Sequence, residues 1–112
     1  MKDTQEHISP DGILRLVVWY ERDDSILGFD GYEWHTHGDM LASQYGLPEG
    51  EAIERFVSDI LRGRAVIVIS RLGAHIRDIW ATSEPEEELN LRENDEQLEL
   101  RYWDGTPWRS VS

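Results

Sequence analysis

"PEGEAIERFVSDILRGRAVIVIS" (residues 48–70) decides the fold. Its first part places Ile53, Phe56, Val57, Ile60 and Leu61 at the i, i+3, i+4, i+7, i+8 spacing of one apolar helical stripe. Glu49, Glu51, Glu54 and Asp59 take the opposite side. Pro48 stands where a first helical residue is favoured, and Gly63 follows the last periodic residue, so a helix is predicted from about residue 48 to Arg62. The second part, "AVIVIS" (65–70), is apolar without alternation, which predicts a central strand covered on both faces.

The flanks supply the rest of the sheet. "ILRLVVWYE" (13–21) is β-branched and aromatic, with Leu14, Leu16, Val18 and Tyr20 on one face and Ile13, Val17 and Trp19 on the other. That strand is expected to be covered on both sides for part of its length. "RDDS" (22–25) turns into a second strand, "ILGF", and Asp30-Gly31 is a strong hairpin signal leading to a short strand in "YEWHTH" (32–37). Asp39 is placed to cap a short helix, "MLASQY", which Gly46 stops. Past the long helix, Leu72-Gly73 turns into "HIRDIWAT", with Ile76 and Trp80 expected on one face and Ile79 on the other. "SEPEEE" reads as an acidic connector broken by Pro85, and "LNLRE" and "QLELRYW" alternate as a hairpin about Asn94-Asp95. The order predicts an α+β domain over 1–112: an antiparallel, twisted sheet of about five to seven strands, with one short and one long helix inserted mid-chain and packed on one face. Residues 1–11 read as a flexible N-terminus and 104–112 as a C-terminal turn or tail.

Composition narrows the function. The 112 residues are 39% hydrophobic and 30% charged, as in an ordinary globular domain. No cysteine is present, which removes thiolate metal sites, cysteine nucleophiles and disulfides and fits a reducing, cytoplasmic setting. No signal or transit peptide is readable, and no apolar run approaches the ~20 residues of a membrane span. Eleven Lys and Arg against 23 Asp and Glu give a net charge of −12, which phosphate backbones repel. Neither nucleic acid nor membrane is therefore an expected partner, whereas a basic protein is. Oligomeric state is not legible.

"YEWHTHGDM" (32–40) carries the one metal-like pattern. On a strand, His35 and His37 share a face with roots ~6.6 Å apart, near enough for both imidazoles to reach one Zn²⁺ at about 2.0–2.1 Å. Asp39 is the candidate third ligand, with His75 or His7 as alternatives brought in by the fold. Glu33 lies ~13 Å from His37 along a strand, too far to ligate with both histidines. It is the candidate general base for a zinc-bound water, should the protein be a zinc-dependent hydrolase. "WHTHGD" resembles the first metal signature of metallo-β-lactamase-type hydrolases at His35, His37 and Asp39, with Met40 where that signature has a further His. "WHTH" is also similar to the His-Ser/Thr-His of JAMM-type zinc isopeptidases. It departs from them at Gly38, where a Pro follows, and at Tyr45 and Pro48, which occupy the Ser and Asp positions. Either resemblance implies a zinc cofactor; without it the chain needs none.

The second candidate is a binding surface. From Glu84 to Glu99 there are eight acids against one Arg92. Glu86, Glu87, Glu88, Glu93, Asp95 and Glu96 form the expected docking edge for a basic partner. Trp103 and Trp108, in "RYWDGTPW" beside it, are the expected aromatic anchors. In size, charge and aromatic content the chain resembles bacterial immunity proteins, which implies a non-catalytic, antitoxin-type inhibitor of a basic toxin. With no serine in a Gly-x-Ser-x-Gly turn and no Gly-rich phosphate loop, the binding module is the leading expectation.

Overall fold

Residues 3–21, 24–91 and 95–108 are described by the computed structural model. Four strands come first: β1 (Asp3–Ile8), β2 (Arg15–Tyr20), β3 (Ser25–Phe29) and β4 (His35–His37). Helices α1 (Gly38–Tyr45) and α2 (Glu49–Leu61) follow, then β5 (Val66–Leu72), β6 (His75–Thr82), α3 (Pro85–Leu91) and β7 (Glu96–Arg101). The class is α+β, as the order of signals predicts. The strands form two antiparallel sheets rather than one, β1-β2-β3-β4 and β6-β5-β7. Two helices inserted between β4 and β5 interrupt the run of hairpins, so β5 starts a sheet of its own. The sheets meet where the Trp34 N–H donates to Asp78 Oδ1 at 3.3 Å.

Helix α2 follows its apolar period. Ala52, Ile53, Val57 and Ile60 are buried, each worth roughly 1.5–3 kcal/mol for the larger side chains. No side chain caps its start; Glu49 and Glu51 in the first turn complement the helix dipole instead. Gly46 ends α1 in the left-handed region at φ 66°, its N–H donating to the Ala42 carbonyl. The main core joins Leu14, Leu16, Val18, Leu27 and Phe29 of the four-stranded side to Leu41, the α2 stripe and Ile67, Ile69 and Ile79 of the three-stranded sheet. Val17, on the other face of β2, is also buried, so that strand is covered on both sides over this stretch. Strand β5 is central and buried on both faces, as its composition predicts: Val66 and Val68 form a second cluster with Leu100, Trp80, Leu98, Tyr102 and Trp108.

Several elements differ from expectation, each for a local reason. Within the segment expected to be a flexible N-terminus, Asp3–Ile8 pair with β2 from Asp3↔Tyr20 to Ile8↔Arg15 as an edge strand. Strand β4 runs straight into α1, so His37 takes the cap position and Asp39 lies inside the first turn rather than capping it. A register shift opposite Ser70/Arg71 reverses the side-chain parity of β6. Ile76 therefore packs with Ile79 on the main core, while Trp80 faces the second cluster. Pro85 starts α3 instead of breaking a strand, with Glu86, Glu87 and Glu88 in the favourable first turn. The stretch expected as the first strand of a hairpin with β7 is thus partly helical, and β7 pairs with β5. The Asn94 half of the expected turn lies outside the described residues, as does Glu93.

One clasp ties the two ends of the chain together. Arg101 is only 2% exposed and donates from Nη1 to Asp11 Oδ2 at 2.5 Å, from Nε to the Tyr102 carbonyl and from Nη2 to the Trp103 carbonyl. The other oxygen of Asp11 accepts from the Ser9 hydroxyl at 2.6 Å and the Ile13 N–H at 3.1 Å. Hydrogen bonds from Arg101, then Ser9, hold the Asp11 carboxyl well below the usual carboxylate range. A carboxylate lowered in this way favours the folded state above its unfolded pKa of about 3.9, and that contribution fades as pH falls below it. Asp11→Asn is therefore expected to lower the melting temperature at pH 7 and to flatten its fall between roughly pH 4 and pH 2. Melting curves of both proteins across that range check this.

Candidate functional site

The structure separates the sequence candidates into two places. The first is β4 and the turn before it. Trp34 points inward and stacks on Phe29, with centroids 6.1 Å apart. Parity then puts Glu33, His35 and His37 on the outer face, and Glu33 and His35 are exposed. The His35 Nδ1 lies 2.9 Å from the Glu33 carbonyl oxygen, and the His37 Nδ1 lies 2.8 Å from Asp24 Oδ2. The two rings stand edge to face with centroids 5.1 Å apart. Asp39 does not complete a three-ligand site: it sits in the first turn of α1, where the helical path carries it off the strand face. Among the described residues no group of three or more His, Cys, Asp or Glu is arranged to hold a metal ion. His7 and His75 supply no such third ligand either.

The close approach of β4 depends on Gly28, which pairs with His35. A Cβ there would stand 2.8 Å from the Trp34 carbonyl oxygen and 3.4 Å from the His35 Cβ. No side chain larger than hydrogen fits without moving the strand.

The second place is formed by α3 and the C-terminal turn. The Trp108 N–H donates to the Leu100 carbonyl at 3.0 Å, and Tyr102 N–H to the Thr106 carbonyl at 2.8 Å. Residues 104–108 are therefore a turn that folds back on β7, not a tail. Half-buried Trp108 then lines a groove of about 430 Å³ with Ser83, Glu84, Pro85, Glu86, Glu87 and Asn90. Glu86 and Glu87 are exposed and Glu88 is half-buried. Among the described residues no cation pairs with Glu84 or with the three glutamates of α3.

Four predicted docking residues do not line the groove, and Glu88, although on α3, is one of them. Trp103 is 7% exposed and packs in the main core, because the Arg101 clasp turns the chain inward just before it. Glu96 is 5% exposed: its pairing with Leu72 puts it on the second-cluster face, where its carboxylate accepts from Ser70 and Arg77. Asp95 is exposed but is not among the groove residues.

A further cleft, of about 400 Å³, lies between the helices and the end of β6, with Trp34, Leu41, Tyr45 and Phe56 along its wall. Asp59 lies 3.4 Å from Arg64 and 3.7 Å from Arg55, and burial, with Asp59 beside it, pushes the Tyr45 phenol up. Sequence reasoning missed the cleft, since its walls come from five separate stretches of the chain.

Gly28→Ala is expected to cost about 1–3 kcal/mol and to separate the two histidine rings from their present arrangement. Chemical denaturation together with the histidine ring resonances by NMR checks both effects. Comparison with family models, with curated proteins and with solved structures finds no match to this chain.

Proposed function

We propose that this chain is a non-catalytic binding module that holds a basic segment of a partner protein in the groove between α3 and Trp108. The observation that carries this reading is the groove itself: unpaired carboxylates of Glu84, Glu86 and Glu87 beside the indole of Trp108, with no basic side chain among its described lining residues. A Lys or Arg entering it meets opposite charge and an aromatic face together, a combination worth about 0.5–2 kcal/mol for the cation–π contact alone. The net charge of −12 adds attraction at longer range and steers a basic partner during the encounter. A toxin held inactive by such an acidic module is the partner class that this reading favours, with the module acting as an antitoxin-type inhibitor. The partially covered second cluster, with Trp80, Leu98 and Tyr102 next to Trp108, offers apolar area at the edge of the groove.

An oligo-arginine peptide serves as the probe in calorimetric titration. A saturable complex of about one peptide per chain is expected, weakened by salt. Reversing Glu86→Lys with Glu87→Lys lowers affinity by roughly tenfold or more, while reversing the exposed Glu51 and Glu54 of α2 leaves most of it. Equal weakening by both pairs of reversals would mean attraction to net charge alone and would overturn the groove as the site.

A further inference from the structure

His35 and His37 are unused by the binding reading, lie on a different element from the groove, and carry an inference of their own. A neutral imidazole has one N–H and one lone pair, and the hydrogen bond made by one nitrogen decides which is which. In both rings Nδ1 is engaged, by the Glu33 carbonyl at 2.9 Å and by Asp24 Oδ2 at 2.8 Å. Each acceptor requires Nδ1 to be the donor, so in both neutral rings the lone pair is on Nε2. That is the outer-shell pattern of metal-binding histidines, in which a carboxylate or carbonyl fixes ring orientation and raises the basicity of the ligating nitrogen.

The ring geometry agrees independently. With a Zn–N distance of about 2.05 Å, each ring centroid stands ~3.2 Å from the ion, and a tetrahedral angle places two such centroids about 5 Å apart. The observed separation is 5.1 Å, with the ring planes 75° apart. The centroid spacing is thus compatible with both rings meeting one ion. Gly28 permits this, because a side chain at that position would collide with the strand that carries both histidines. The Asp24 carboxylate, 2.8 Å from His37 Nδ1, adds negative potential.

The geometry points to a two-histidine site for a borderline divalent transition metal, with zinc, nickel and copper in the imidazole-preferring class. His35 and His37 ligate through Nε2, and Asp24 is a positioning residue acting through His37. Two protein ligands leave the remaining coordination positions to water or to a donor from a molecule that docks there. His35 is exposed, so those positions face solvent.

Titration of metal-stripped full-length protein with zinc chloride tests this by calorimetry. Wild type is expected to take up about one equivalent, and His35→Ala or His37→Ala to weaken binding by about tenfold or more. Asp24→Asn keeps both ligands and is expected to weaken binding by roughly tenfold, with both histidine ring resonances still shifted by the metal. His75→Ala, at an exposed histidine elsewhere, is expected to bind as wild type. Should His37→Ala fail to fold, His35→Ala decides, since its side chain is exposed. No uptake by wild type overturns the proposal, as does zinc binding by His35→Ala at wild-type affinity.

Discussion

Strand β5 is buried on both faces, and this constraint shapes the rest of the molecule. Ile67 and Ile69 on one face must meet an apolar cover, and α2 with the four-stranded sheet supplies it. Val66 and Val68 on the other face need a second cover, which comes from Trp80 of β6, Leu98 and Leu100 of β7, and the returning Tyr102 and Trp108. The second cover is thinner than the first. Its aromatic residues remain half-exposed, and a short acidic helix borders it. The proposed binding groove is thus a consequence of burying one strand twice in a chain of this length.

Two polar arrangements make that architecture specific. The Arg101 clasp joins the β1–β2 connection to the end of β7, and it fixes the point from which residues 102–108 turn back. Arg101 is buried and Asp11 only partly so, and without Asp11 the guanidinium keeps just the Tyr102 and Trp103 carbonyls as partners. The second arrangement is the register shift in β6, which lets Arg77 reach Ser70 and Glu96 while Ile76 keeps its place in the main core. Together they order the outer face of the three-stranded sheet without a thick apolar layer over it.

Local periodicity made the secure parts of the fold legible. The α2 stripe, the doubly covered β5 and the inward Trp34 each depend on neighbours within a few residues. What escaped depends on partners distant in sequence. The parity change in β6 is set by β5, so alternation alone put Ile76 and Trp80 together. Pro85 reads equally as a strand breaker and a helix start until the glutamates after it find no strand partner. Trp103 and Trp108 stand five residues apart in one turn-rich segment, and only the clasp by Arg101 sends one into the core and leaves the other at the surface. The histidine pair was legible as a spacing. The hydrogen bonds that orient it, Asp24 above all, were not, since that contact spans a strand and a turn. Of the proposed docking residues, Glu86, Glu87 and Trp108 converge in space, whereas Glu96 and Trp103 serve packing.

The claim that a basic segment docks between α3 and Trp108 is tested most directly by mapping amide and indole N–H shifts as an oligo-arginine peptide is added. The account predicts that the largest changes fall on residues 83–90 and on the Trp108 indole, with α2 and the first sheet little affected. Changes spread evenly over the acidic surface, or centred on the exposed glutamates of α2, would contradict it.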